Sequence, residues 1–318
     1  MNTNSRRAFL LVLAVIVLIC GQFAVPGFAS AGQIANQLKI ATFLGLFGIA
    51  QSLVMIGGEQ GLDLSVGAAA TLGGVLGAAL LGPQSPGLFA AFAVAALSGA
   101  LVGALNGVGI TLLRIPPLVM TLAMASLVDG GLIVWSSVMH VNTAASPALA
   151  AIAGRTLAGV PSVALIWLVA GALMWRFLNH SAWGRRLLAT GANPTAAAIA
   201  GTRVRAIRIA VYTASGMIAA LTGVLLVGYV GQAFLGLGTT YVLPSVVVAV
   251  IGGVSLAGGR GDYIAVAMAS VLLTVLTSLL TALQIGEAGR QCIFGATLLV
   301  FLALNGWSFK GALRRLQA

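Results

Sequence analysis

Five polar residues lie inside long apolar segments of the chain, where they could contact a polar solute. Asp129 stands out, because a carboxylate in the middle of an apolar helix in lipid costs on the order of 3 kcal/mol and usually faces a bundle interior or an aqueous path. We predict a translocation pathway at these positions, and a structural hydrogen bond between helices is the alternative. The five residues are Gln51, Asn106, Thr121, Ser126 and Asp129.

The residues needed for enzymatic chemistry are not arranged for it. His140 and His180 are expected on opposite faces of the molecule, so no metal site is predicted. The sequence has neither a Gly-x-Ser-x-Gly elbow with a plausible His and Asp nor a Gly-x-x-x-x-Gly-Lys-Ser/Thr phosphate loop. The chain is therefore predicted not to be an enzyme and to hold no cofactor. ATP and Mg²⁺, if they are used, would bind to a separate subunit.

The stretch 179–207 carries the most informative local pattern. Asn193 suits a helix N-cap, Pro194 suits the first helical position, and Gly201 suits the position after the helix. A short helix is therefore predicted in a loop outside the bilayer, where its small side chains would allow close approach of another protein. Nearby arginines could attract an acidic partner or anionic lipid headgroups: Arg185, Arg186, Arg203 and Arg205.

The amino-acid composition indicates that the chain is a membrane protein. Of 318 residues, 60% are hydrophobic and 7% are charged, whereas a soluble domain carries about 25% charged residues. Apolar blocks of about 17–25 residues have the length that a spanning helix needs. We predict an all-α membrane protein, residues 1–318 forming one integral-membrane domain of about ten helices: 8–25, 40–57, 64–82, 87–113, 117–138, 162–178, 209–230, 243–257, 264–283 and 291–307. Segment 243–257 is short and is predicted to be broken or re-entrant.

The distribution of basic residues predicts the orientation. The net charge of +11 comes from residues between apolar blocks and at the chain ends, which is typical of a membrane protein and not of a nucleic-acid-binding protein. With both termini in the cytoplasm, 13 of the 16 Lys and Arg residues lie on that side, and only Lys39, Arg155 and Arg290 lie on the other. Arg6-Arg7 also fits a twin-arginine export signal, but we favour a first spanning helix with a basic flank.

Short glycine- and proline-containing motifs follow one another from about residue 50 to residue 300. Asp63 in the first motif is predicted to cap the helix that starts near Leu64. The motifs are Gly61-Leu62-Asp63-Leu64-Ser65-Val66-Gly67; Asn106-Gly107; Arg114-Ile115-Pro116-Pro117 with Thr121-Leu122; Gly184-Arg185-Arg186 through Gly201; Tyr212 with Ser215-Gly216; and Ile251-Gly252-Gly253 through Gly261. Together they resemble the permease family of sugar-type ATP-binding-cassette importers, which includes ribose and autoinducer-2 permeases. Glu59-Gln60 departs from the shorter family pattern.

The resemblance implies a fold, partners and a mechanism. The chain would be a multi-pass permease of the bacterial inner membrane that moves a small polar solute, such as a monosaccharide, by alternating access. Its partners would be a cytoplasmic ATPase, a periplasmic solute-binding protein, membrane lipid, and a second permease copy that is identical or paralogous. The loop helix would couple to the ATPase through Arg185, Arg186, Gly191, Asn193, Pro194, Ala196, Ala197, Ala198, Ile199, Ala200 and Gly201.

Alternatives of the same and of a different class remain. A permease for branched-chain amino acids or nucleosides would share the general architecture. A stand-alone secondary transporter or channel would explain the spanning segments equally well, but it would work without an ATPase. Co-purification of an ATPase separates the last alternative from the importer.

Overall fold

The computed structural model describes residues 3–58, 61–80, 87–138, 144–157, 159–286, 288–297 and 299. Within these ranges the protein is a helical bundle with one two-stranded antiparallel ribbon. The helices are α1 Thr3–Ala24, α2 Ala31–Ile56, α3 Val66–Leu80, α4 Leu88–Thr111, α5 Pro117–Val138, α6 Pro147–Gly154, α7 Ser162–His180, α8 Ala182–Ala192, α9 Pro194–Ile199, α10 Val204–Val230, α11 Val242–Ile251 and α12 Tyr263–Ala282. The ribbon pairs β1, Thr156–Leu157, with β2, Val160–Pro161, and a 3₁₀ turn covers Thr239–Tyr241.

Seven of the described helices are long and apolar enough to cross a membrane, namely α1, α2, α4, α5, α7, α10 and α12. Helix α3 and the helical stretch 239–251 are apolar but shorter. The ten residues of α11 reach about 15 Å, roughly half the thickness of a hydrocarbon core. The tenth predicted span, 291–307, lies mostly outside the described residues, as do the C-terminus, His140 and Glu59-Gln60.

Two helical features differ from the sequence-based expectation. Helix α2 begins at Ala31, nine residues before the predicted start, because Ser30 caps it by accepting a hydrogen bond from the Gln33 N–H at 3.4 Å. The predicted loop 179–207 contains two helices where one was expected, since α8 precedes α9. Ser181 accepts a hydrogen bond from the Gly184 N–H at 2.8 Å and so caps α8.

Helix α2 forms the centre of the bundle. From Ala41 to Ile56 every side chain of this helix is buried, as expected for a helix that is apolar all round. Helices α1 and α5 lie at the outside and expose apolar side chains such as Leu11, Leu127 and Val134. Such an exterior suits lipid tails, because an exposed apolar surface of this extent would be unfavourable in water.

Glycines let α4 and α10 pack in direct backbone contact. A Cβ atom on Gly99 would overlap the carbonyl oxygen of Gly216, and one on Gly103 would overlap the carbonyl oxygen of Tyr212. Gly99 and Gly103 lie four residues apart on α4 and serve helix packing, as small residues at this spacing do in membranes.

Candidate functional site

Helices α8 and α9 form a compact foot at one end of the bundle, and we use that name for residues 182–199. Asn193 separates the two helices, and its Oδ1 accepts a hydrogen bond from the Ala196 N–H at 2.9 Å. The chain leaves α9 through a Schellman-type turn, in which the Thr202 N–H donates to the Ala197 carbonyl at 2.9 Å and Gly201 has φ +81°. The predicted helix and both of its caps are confirmed.

The foot and the residues that follow it expose an apolar side chain, small side chains and basic side chains. Ile199 exposes 86% of its side chain, which is an unusual state for an isoleucine outside the lipid-facing helices. Ala196, Ala198 and Ala200 beside it are also exposed, whereas Ala197 is buried. Four exposed arginines carry the positive charge: Arg185, Arg186, Arg203 and Arg205. This surface can take up an apolar groove with an acidic rim.

The foot rests on the ends of other elements through backbone contacts. A Cβ atom on Gly191 would overlap the carbonyl oxygen of Ile56 at the end of α2. The Gly259 N–H donates to the same carbonyl oxygen at 3.0 Å. Gly58 approaches Gly191 so closely that a Cβ atom on Gly58 would lie 2.9 Å from the Gly191 Cα. The foot is thus seated on α2 and on the connection between α11 and α12.

A buried polar network lies inside the bundle, centred on the Asp63 carboxylate. The Ser65 N–H and hydroxyl donate to Oδ1 at 3.0 and 2.6 Å, and the Ser215 hydroxyl donates to Oδ2 at 2.9 Å. The Asn106 amide donates to the Ser65 hydroxyl at 2.8 Å. All four residues have no exposed surface. The network joins the α2–α3 connection to α4 and to α10.

The role of Asp63 is therefore wider than the predicted helix cap. Helix α3 begins at Val66, and Asp63 binds the Ser65 N–H while also reaching across to α10. Asp63 lies in the connection between α2 and α3, and burial raises the pKa of its carboxyl group, while hydrogen bonds from Ser65 and Ser215 act in the opposite direction. The network supports the carboxylate with three donors, as a buried polar group requires.

The five residues predicted for the pathway occupy two different settings. Gln51, Asn106 and Thr121 are completely enclosed. Among the described residues, neither polar atom of the Gln51 amide has a hydrogen-bond partner, and Asn106 Oδ1 also lacks one. Ser126 is exposed and Asp129 is half-buried on α5, at the outside of the bundle. The structure thus does not bring the five together in one cavity of a single chain.

The remaining motif residues shape close contacts and turns. A Cβ atom on Gly61 would lie 2.5 Å from the Val54 carbonyl oxygen, and one on Gly252 would lie 2.6 Å from the Val266 Cα. Gly67 packs against Val242 and Gly238. Pro117 is the first residue of α5, and the Met120 N–H donates a hydrogen bond to the Pro116 carbonyl in the first turn of this helix. Gly253 has φ +87° and lies against the Arg6 guanidinium.

An ion pair that the sequence analysis did not predict lies at the same end of the bundle as the foot. The Arg7 guanidinium donates to both carboxylate oxygens of Asp262, from Nε at 2.6 Å and from Nη2 at 2.8 Å. Asp262 Oδ1 also accepts a hydrogen bond from the Ile264 N–H at 3.2 Å and caps α12. The local signal was an aspartate directly before an apolar helix, which is a typical N-cap pattern.

Metal-binding and thiol groups do not form a site in the described part of the chain. No group of three or more His, Cys, Asp and Glu residues there could hold a metal ion. Cys20 and Cys292 are free cysteines, and both are exposed. They lie in different helical stretches.

Comparisons with known proteins agree on one kind of protein. The family described as branched-chain amino acid transport system / permease component matches residues 33–302. The ribose import permease protein RbsC of Escherichia coli (strain K12) is 30% identical over 309 residues, covering 96% of this chain and 94% of that protein. The fructose import permease protein FrcC of Rhizobium meliloti is 29% identical over 323 residues, covering 97% of this chain and 88% of that protein.

A third relative is named for a different solute. The autoinducer 2 import system permease protein LsrC of Escherichia coli (strain K12 / DH10B) is 30% identical over 308 residues, covering 95% of this chain and 88% of that protein. No solved structure matches the chain.

Proposed function

The chain belongs to the branched-chain amino acid transport system / permease component family, and on that premise we propose that it is the membrane-spanning subunit of an ATP-binding-cassette importer for a sugar. It is a multi-pass protein of the bacterial inner membrane and is not itself an enzyme. The names of its relatives favour a sugar such as ribose or fructose over an amino acid or a nucleoside. ATP and Mg²⁺ would be bound by the partner ATPase.

The observation that carries the proposal is the foot. Its capped helix α9 presents the exposed Ile199 beside small side chains, and exposed arginines lie on α8 and at the start of α10. A stand-alone transporter has no use for such a surface, whereas a motor protein can bind it and push on it. The foot shares its end of the bundle with Arg6, Arg7 and Arg260, so the positive-inside rule favours the cytoplasmic side for this end.

The solute path is proposed to lie between two copies of the permease. Ser126 and Asp129 face outward on α5, and a Cβ atom on Gly130 or Gly131 would have nothing within 4 Å. Two adjacent glycines weaken a helix by about 1 kcal/mol each relative to alanine, which suits a helix that another chain approaches closely. The enclosed Gln51, Asn106 and Thr121 would meet solute only after α2, α4 and α5 separate during alternating access.

The other partners follow from the same arrangement. A periplasmic binding protein would deliver solute at the end opposite the foot, where α6 and the β-ribbon lie. Anionic lipid headgroups would contact Arg185 and Arg186 wherever the ATPase leaves them free, with the exposed Trp183 at the membrane interface.

Co-purification tests the proposed function. Tagged wild-type protein is expected to retain an ATPase and, in proteoliposomes supplied with that ATPase and the periplasmic binding protein, to take up radiolabelled ribose or fructose. Ala198→Arg puts a large charged side chain at the centre of the foot surface and is expected to abolish ATPase retention. Ala151→Arg places the same change on an exposed position of α6 and should leave retention intact. Retention by Ala198→Arg equal to wild type would contradict the docking surface.

A further inference from the structure

Three chain connections meet at a junction made of glycine backbone. They are the end of α2 at Gly58, the end of α8 at Gly191, and the turn at Gly258–Gly259 between α11 and α12. A Cβ atom on Gly258 would overlap the Gly58 Cα, and one on Gly259 would lie 2.5 Å from the Ala192 Cα. We call these four glycines the glycine junction.

The four glycines of the junction carry no side chain that could absorb a displacement. Side chains can change rotamer when a neighbour moves, but Gly58, Gly191 and Gly258 meet one another through main-chain atoms. Gly58, Gly258 and Gly259 also have positive φ values that other residues rarely adopt. The hydrogen bond from the Gly259 N–H to the Ile56 carbonyl also satisfies one of the open acceptors at the end of α2. Contacts this close would pass a displacement of one segment on to the other two.

The junction leads to two parts of the bundle. Through Ile56 it meets α2, whose side chains from Ala41 onward are buried in the core. Through the 252–262 connection it meets α1, because Arg7 pairs with Asp262 and the Arg6 guanidinium lies against Gly253. Helix α1 also packs along α12.

We propose that the foot, the end of α2 and the 252–262 connection move as one body, and that Gly191 is the positioning residue that passes displacement of the foot to α2. This inference rests on the proposed function, since it assumes that an ATPase moves the foot. It adds the route by which that movement enters the bundle. In this scheme α2 and, through Arg7, α1 follow the foot.

Gly191→Ala tests this route. The quantity measured is the amount of solute taken up per ATP hydrolysed, which we call the coupling ratio. The added methyl group would force the foot away from Ile56, while the exposed face of α9 stays unchanged. Gly191 is buried against Ile56 and Gly259 and lies outside the exposed surface that would bind the ATPase. We therefore expect normal retention of the ATPase that co-purifies with wild type, and a fall of about tenfold in ribose or fructose uptake per ATP hydrolysed. Gly32→Ala is the matched control, because its new Cβ atom has nothing within 4 Å. A wild-type ratio for folded Gly191→Ala would overturn the proposal.

A cross-link decides the case if Gly191→Ala does not fold. In a background in which Cys20 and Cys292 are replaced by alanine, cysteines at the exposed positions Ala189 and Ala257 are joined by a short, reducible bis-maleimide. Segments that move as one body do not change their separation, so the cross-link should not hinder them. Uptake should therefore persist after cross-linking and be unchanged by reduction. Loss of uptake that returns on reduction would overturn the proposal. Single-cysteine variants with the same reagent control for modification itself.

The outcome is separable from failure of the proposed function. If wild-type protein retains no ATPase, the importer assignment fails before the junction is tested. If the ATPase is retained and hydrolyses ATP, the coupling ratio and the cross-link test the junction alone.

Discussion

Arg7 and Asp262, 255 positions apart in sequence, form a two-pronged ion pair that ties the start of α1 to the start of α12. Both side chains are partly exposed, so solvent screening keeps the stabilisation to about 1 kcal/mol. Arg7→Gln and Asp262→Asn should each lower the free energy of unfolding in mixed micelles by about that amount, and the double variant should cost little more than either one. Asp262→Asn keeps an oxygen acceptor for the α12 cap. Fully additive losses would contradict the pairing.

Ile199 should anchor the ATPase without stabilising the permease. Its side chain is 86% exposed, so Ile199→Ala is expected to leave the midpoint of thermal unfolding unchanged. Burying an isoleucine in a partner groove is worth about 2 kcal/mol, so ATPase affinity should fall about 30-fold. Leu113→Ala removes a 70% exposed leucine next to α4 and is the control. Titration of the purified ATPase onto permease nanodiscs measures both affinities.

Gly103 should tolerate no added methyl group. A Cβ atom there would overlap the carbonyl oxygen of Tyr212, so Gly103→Ala must push α4 and α10 apart. The expected loss is about 1–3 kcal/mol of unfolding free energy. Gly32→Ala adds the same methyl group in open space on α2 and should be neutral or stabilising by up to about 1 kcal/mol. Equal unfolding midpoints for the two variants would contradict the direct backbone contact.

The Asp63 network should respond to loss of a single hydroxyl. Ser215→Ala removes one donor to a buried carboxylate and should cost about 1.5–3 kcal/mol of stability. Ser270→Ala is the matched control, because in the described part of the chain that buried hydroxyl donates to the Val266 carbonyl within its own helix and to no other group. Thermal unfolding in detergent would compare the two. A larger loss for Ser270→Ala would show that the network is not the stronger interaction.

Accessibility of engineered cysteines should report the orientation. In the background without Cys20 and Cys292, Thr195→Cys on the foot should be protected from an impermeant thiol reagent in intact cells. Thr156→Cys, on the exposed ribbon at the other end, should react. Permeabilised cells should label both positions. Labelling of Thr195→Cys from outside would invert the orientation and remove the foot from the side where ATP is found.

Local patterns in the sequence were sufficient for several parts of the structure. Apolar blocks located the helices because hydrocarbon demands a minimum length of apolar helix. Asn193, Pro194 and Gly201 placed α9 because caps act within one turn. The four-residue spacing of Gly99, Gly103 and Gly107 is typical of a close contact between helices, but it does not identify the partner helix. The first residues of α2 include polar side chains, so the hydrophobicity pattern did not indicate where this helix begins. Helix α8 was not predicted, because Ser181 was not identified as a helix N-cap.

By itself, then, the sequence determined a membrane-spanning helical chain, its main helices and the capped helix of the foot, because each depends on residues close together along the chain. Only the tertiary structure decided that Gly191 touches Ile56 and Gly259, that Ser215 binds Asp63, and that Arg7 binds Asp262. These partners lie dozens to hundreds of residues apart, and their meeting depends on how whole helices pack. The separation of Ser126 and Asp129 from the enclosed Gln51 likewise followed from which faces of α2 and α5 the packing covers.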